Sequence, residues 1–271
     1  MPPRPLAGKG IFITHDPIGA GPRGEAEWDD LAACGVSWVA LQVAWHRSAG
    51  VPLVRPELTR SPGRLAAETY AATRRGLQVW WWGWPVPSRV GDWLAVAEAA
   101  GRAAAEAPLP GGSAMPAGWV LNVETAEPGG RSAWAEGSEG AARDLVAGMR
   151  SIWPGPILAT SHGRLARRQP WRALGALDGV LPQAYDPDCS RGAGEDGSTF
   201  ASRCADSYRE VFGARQVALL LGANATAPAC MAQVAGDAVA ATDGALAWWS
   251  WTTLRSSAAK RAVVAATAVI E

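Results

Sequence analysis

Short apolar runs rich in β-branched and aromatic residues recur along this chain, and between them lie longer stretches with apolar positions at helical spacing. The short runs predict strands at Gly10–Thr14, Val36–Trp45, Leu77–Trp82, Gly118–Glu124, Pro156–Thr160, Asp178–Tyr185, Gln216–Leu221 and Ala245–Trp251. The longer stretches predict helices at Glu25–Cys34, Pro56–Arg75, Asp92–Ala107, Ser138–Arg150, Pro170–Ala176, Thr199–Phe212, Pro228–Thr242 and Ser256–Val269. Several close where the chain needs a stop: Gly35, Gly76 and Gly213 follow helices, and Pro108 follows another.

Strict alternation of strand and helix calls for parallel pairing, because a parallel partner is reached only through a crossover and a helix supplies one. Eight such units in 271 residues predict an α/β fold, a single (β/α)8 TIM barrel as one domain over 1–271. A doubly wound sheet competes, and two GxGxxG strings stand at Gly19–Gly24 and Gly192–Gly197. Both sit several residues beyond their strands, and the second strand ends without the acid that would hold a ribose, so no dinucleotide cofactor is expected.

A TIM barrel carries its chemistry at the C-terminal strand ends, so polar residues there take a functional reading. They are Thr14, His15, Asp16, Gln42, His46, Trp82, Trp84, Asn122, Glu124, Thr160, Ser161, His162, Gln183, Tyr185, Asp186, Asn224, Trp249 and Trp251. Side chains alternate along a strand, so Asn122 and Glu124 share one face, and the same parity turns Gln183 and Tyr185 inward. An acid in the apolar run VLNVE has no packing role and is costly unless paired or poised for work. A rim salt bridge to Glu124 is the structural alternative.

Composition narrows the field. The chain is 48% hydrophobic and 18% charged with no formal net charge, which argues against nucleic acid as a partner. Lys9 and Lys260 are the sole lysines, which removes Schiff-base chemistry from consideration. The opening MPPRPLAGKG has no apolar signal core and no later run suits a bilayer, so neither Sec export nor membrane insertion is expected; a cytoplasmic place or release by lysis or a phage-like route follows. The four cysteines have no zinc spacing and the three histidines no HxH pair, so no metal is expected. Cys189 and Cys204 flank one Gly-rich loop and are the pair that would staple it in an oxidising place. Fifteen tryptophans, many at strand ends, offer the flat apolar faces that sugar rings stack on, with core packing as the alternative.

Asn122-Val123-Glu124, Gln183-Ala184-Tyr185-Asp186 and Ala247-Trp248-Trp249 together resemble barrel glycoside hydrolases that work by substrate assistance, the chitinase-like and family 25 lysozyme-like enzymes. The resemblance implies Glu124 as general acid/base, Asn122 and Tyr185 as holders of the substrate's acetamido group, and Trp249 beneath the sugar. Those families have Asp where this chain has Asn122. An Asn-x-Glu pair resembles the family 85 endo-β-N-acetylglucosaminidases instead. The larger group of retaining barrel enzymes has a nucleophilic Glu on the seventh strand, whereas this one ends Leu221-Gly222-Ala223-Asn224. The implied substrate is an N-acetylhexosamine carbohydrate such as peptidoglycan, a chitin-like polymer or a glycan. A non-catalytic carbohydrate-binding barrel, or a structural part of a phage-like or cell-wall assembly, is the alternative.

Overall fold

The computed structural model describes residues 5–14, 24–45, 57–58, 62–107, 114–124, 134, 137–163, 170–186, 188–213, 215–223, 226–242 and 244–269. Eight parallel strands among them close into a barrel: β1 (Gly8–Ile13), β2 (Trp38–Trp45), β3 (Gln78–Gly83), β4 (Gly118–Asn122), β5 (Ile157–His162), β6 (Gly179–Ala184), β7 (Gln216–Val217, continued by Leu219–Gly222) and β8 (Ala245–Trp249). Pairing of β1 with both β2 and β8 completes the ring. Around it lie α1 (Glu25–Ala33), α2 (Pro62–Thr73), α3 (Val90–Ala105), α4 (Glu139–Ile152), α5 (Trp171–Leu174), α6 (Phe200–Phe212), α7 (Pro228–Ala241), α8 (Trp251–Leu254) and α9 (Ala258–Ala266). This is the single (β/α)8 barrel that the alternation of elements predicts.

Two expected elements differ. The helix expected from Pro56 starts at Pro62, because Glu57–Leu58 instead pairs antiparallel with the end of β2. The strand expected to run to Trp251 ends at Trp249, and the Ser250 carbonyl accepts the Thr253 and Leu254 N–H groups to start α8. Alternating tryptophans imitated a longer strand there.

Strand parity splits the core in two. Inside the ring, Phe12, Trp38, Trp80, Trp82, Leu158 and Leu220 pack with small residues such as Ala40 and Ala247. Between ring and helices lies a larger cluster that includes Ile11, Leu41, Trp81, Trp119, Leu121 and Val123. Bulky indoles fit inside the ring because glycines face them. A Cβ on Gly10 would stand 2.1 Å from the Trp38 ring, and one on Gly118 would stand 2.3 Å from Trp80 and 2.6 Å from the Pro156 carbonyl oxygen.

The ring is tied at its N-terminal end. Leu6 lies under the inner core, its N–H donating to Gln216 Oε1 at 2.9 Å while Gln216 Nε2 donates to its carbonyl at 2.6 Å. On the outer side Lys9 Nζ donates to the Val264 and Ala265 carbonyls at 3.0 and 3.1 Å, which pins α9 to β1. The cysteine pairing differs from expectation. Cys189 bridges Cys230 with 5.8 Å between Cα atoms, joining the segment after β6 to the start of α7. Cys204 is a buried thiol outside any disulfide, because α6 turns it inward toward Gly163.

Gly118→Ala should destabilise the protein by about 1–3 kcal/mol through overpacking against Trp80. Gly101→Ala in α3, where the added Cβ meets nothing, should instead stabilise it by up to ~1 kcal/mol. Denaturant melts of the two variants check this, and equal midpoints for Gly118→Ala and wild type would refute the tight interior. Unfolded without reductant, the chain should titrate two thiols, Cys34 and Cys204, and all four cysteines only after reduction.

Candidate active site

The inward positions at the C-terminal strand ends form the mouth of the barrel. Val120 belongs to the inner core and Leu121 and Val123 to the outer one, so Asn122 and Glu124 point inward at the end of β4. Leu181 lies in the inner core and Ala184 in the outer, which turns Gln183 inward, and Tyr185 packs against the inner core. Val123 stays in line beyond the last ladder pair because its N–H donates to the Thr160 carbonyl at 2.8 Å.

Gln183 Nε2 donates to Glu124 Oε1 at 2.5 Å and reaches Asn122 Oδ1 at 3.4 Å. The side chain of β6 thus spans β5 to meet two residues of β4. Asn122 and Glu124 are 3% and 9% exposed, so the carboxylate is sunk in the mouth with one edge open. A carboxylate only accepts, so Glu124 decides which end of the Gln183 amide faces it. Asn122 must then present its oxygen to Gln183, which leaves Nδ2 for the mouth. By the same logic Oε1 is engaged as an acceptor. Neither Oε2 nor the Tyr185 hydroxyl bonds to a described residue. Burial first, and then the Glu124 charge, push the Tyr185 phenol well above the usual tyrosine range, so it stays a neutral hydrogen-bond donor.

Aromatic residues wall the same space. Trp82 and Trp249 meet edge to face at 5.1 Å, and Phe12 lies 5.6 and 5.9 Å from them. Trp82 is 1% exposed, with its indole donating to the Ile13 carbonyl at 3.3 Å, so it supports the wall from behind, and Trp249 keeps part of its surface open. Trp84 is half-buried just beyond β3. Gln42 is buried at the inward end of β2, beside Trp82, and His162 lies at the inward end of β5, next to Gln183 in register.

Two expected site residues stand elsewhere. Trp251 is buried in the outer core, with its indole N–H on Glu27 Oε1 at 2.5 Å, because the turn at Ser250 carries it toward α1. Asp186 falls on the outward parity after Tyr185; its carboxylate accepts the Arg191 N–H at 3.3 and 3.4 Å and lines a cavity of about 180 Å³ with Phe200 and Asp237. It shapes the segment after β6 rather than the mouth. Asp16 and His46 lie outside the described residues. Most tryptophans are core: Trp28, Trp38, Trp80, Trp81, Trp82, Trp93, Trp119, Trp134, Trp248 and Trp251 are fully buried, so the count of indoles reflects packing more than ligand contact. Among the described residues no group of three or more His, Cys, Asp or Glu is arranged to hold a metal, and no helix is long and apolar enough to cross a membrane.

Two further residues support the mouth: Thr160, a polar residue at its strand end in the sequence, and Trp134, of which the sequence gives no sign. Thr160 Oγ1 donates to the Leu181 carbonyl at 2.6 Å and ties β5 to β6 beneath Gln183. Trp134, fully buried, donates its backbone N–H to the Glu124 carbonyl at 3.1 Å and its indole N–H to the Pro85 carbonyl at 2.8 Å, returning the chain to the acid it left ten positions earlier. A lone tryptophan between two Gly-rich stretches carries no pattern that would announce this.

No protein-family model matches the chain, and no curated protein matches it in sequence. Solved structures match its fold closely over nearly the whole length. A xylanase and α-amylase inhibitor protein from Scadoxus multiflorus aligns at TM-score 0.58 with 14% identity, over 96% of this chain and 98% of its own. Thermotoga maritima Cel5A, in complex with mannotriose, aligns at 0.61 with 16% identity over 97% and 98%. A family 113 β-mannanase from Alicyclobacillus acidocaldarius aligns at 0.62 with 16% identity over 96% and 95%. At such identities the shared property is the (β/α)8 barrel. These neighbours are not described as enzymes acting through a substrate acetamido group, so that finer resemblance stands on the strand-end residues alone.

Tyr185 and Tyr208 both have phenols raised above the ordinary value of 10.0, chiefly by burial. A raised folded value means the folded state holds these protons more tightly, so their contribution to stability is full below pH 10 and is lost as pH climbs above it. A 295 nm titration should show neither phenol ionising near pH 10, with both appearing together as the protein unfolds at higher pH. Loss of only one ionisation step in Tyr185→Phe near pH 10 would contradict this.

Proposed function

We propose that the chain is a glycoside hydrolase acting on N-acetylhexosamine carbohydrate, with Glu124 as general acid/base. The observation that carries the reading is the clamp of Gln183 on Glu124 Oε1 inside a barrel mouth walled by Trp249. A glycosidase needs a group to protonate the leaving oxygen and another to stabilise or attack the oxocarbenium-like centre. Oε2 is the free edge of Glu124, and on this reading it gives its proton to the leaving group and later takes one from water. Of the described residues at inward strand ends, Glu124 alone bears a carboxylate, and β7 ends in Gly222 and Ala223. An enzyme-borne carboxylate nucleophile therefore finds no support there, and attack by the substrate's own 2-acetamido oxygen fits the residues present. The neutral Tyr185 phenol and the free Nδ2 of Asn122 can hold and polarise that group, while Trp249 offers a face to the sugar ring. That solved neighbours include Cel5A in complex with its mannotriose substrate and a β-mannanase supports a sugar-cleaving role for this barrel.

A second reading has its own support. The same barrel in Scadoxus is described as an inhibitor, and a single acid suits a carbohydrate-binding barrel, free or within a phage-like or cell-wall assembly, as well as an enzyme. Cleavage of chitin oligosaccharides, peptidoglycan and N-glycans by wild type and Glu124→Gln separates the two. The hydrolase reading expects product from at least one substrate, and a fall of about a hundredfold or more in kcat for the variant, roughly 3 kcal/mol of transition-state stabilisation, with binding kept. Binding without cleavage in the wild type selects the second reading, and equal turnover in the variant removes Glu124 from the acid's role.

A further inference from the structure

Tyr208 on α6 is fully buried in the layer between helices and barrel, 5.0 Å from the Trp171 ring and 6.5 Å from Phe212. A phenylalanine would fill that apolar surround without the burden of a buried hydroxyl, so the hydroxyl requires a partner and a purpose. Its O–H donates to the His162 carbonyl at 2.6 Å, and Ser161 is the residue immediately before that carbonyl's own residue on β5. Ser161 Oγ donates in turn to the Val123 carbonyl at 2.8 Å. A line of polar groups thus runs from α6 across the outer face of β5 to the peptide unit that carries Glu124.

Parity keeps this line out of the mouth: Ser161 and Val123 face the helices, whereas His162 and Glu124 face inward. The ladder between β4 and β5 ends at Asn122 and Thr160, so Glu124 stands two residues past it. Its clamp partner Gln183 comes from β6, on the far side of β5. A small slip at the end of β5 would change the 2.5 Å separation directly, and hydrogen bonds weaken steeply with such displacement.

We propose that Ser161 and Tyr208 are positioning residues, which hold the ends of β4 and β5 where Gln183 meets Glu124. The inference rests on the reading of Glu124 as the working acid. Neither residue touches the substrate. Both act through the backbone on which the acid and its clamp are aligned.

Tyr208→Phe keeps the ring and removes the hydroxyl, Ser161→Ala removes the other link, and Ser161→Thr retains it. On a glycan the wild type cleaves, each deletion should lower kcat roughly tenfold with KM within about twofold, since misplacement acts on the aligned step more than on binding. The double deletion should be no worse than either single one, because one line is already cut, and Ser161→Thr should recover most of the activity. The Gln183 side-chain amide is read independently by NMR. In the wild type its Nε2 proton should lie downfield and exchange slowly, and both deletions should move it upfield and speed exchange. If kcat and this signal are unchanged in variants with wild-type circular dichroism, the proposal is overturned; should Tyr208→Phe not fold, Ser161→Ala decides by the same measures. A Gln183 signal that moves in a chain that cuts no glycan supports the positioning role and sinks the hydrolase reading instead.

Discussion

Closing eight parallel strands into a ring admits only alternate side chains to an interior of limited width, and much else in this protein follows from that constraint. Large indoles occupy the inside at Trp38, Trp80 and Trp82, and they fit only because Gly10, Gly118 and several alanines stand opposite. The packed floor then leaves no room below, so polar side chains of the next layer gather at the open end. Asn122, Glu124, Gln183 and Tyr185 meet there as a consequence of the ring's geometry.

The Glu124 partner is an amide rather than a cation. An arginine would bring a positive charge against the group, whereas the amide N–H is neutral and engages one oxygen only. The same bond settles the orientation of two amides, since Gln183 must point its nitrogen at Glu124 and therefore at Asn122 Oδ1. One short contact organises donors and acceptors across three strands.

Support for this contact is distributed over elements distant in sequence. Thr160 joins β5 to β6, Trp134 returns to the Glu124 carbonyl, and Ser161 with Tyr208 braces the outer side. The Cys189–Cys230 bridge ties the segment that follows Tyr185 to the helix after β7, and Tyr185 itself lies over Gly222 at the end of β7. The rim around Tyr185 is therefore anchored on two strands.

Alternation of apolar runs with helical periods determined the barrel from the sequence alone, because local pattern and parallel crossover leave few other closures. Strand parity likewise assigns Asn122, Glu124, Gln183 and Tyr185 to the inner face. Where the sequence misled, a long-range contact was the cause. Trp251 continued an apparent alternation, yet the turn at Ser250 and the bond to Glu27 draw it outward. Proximity in sequence favoured Cys204 as the partner of Cys189, yet the helix phase of α6 buries Cys204 and the fold brings Cys230 alongside. Which side chains face the axis is a local property with a period of two residues; which of them touch depends on register between strands, and only the closed ring decides that.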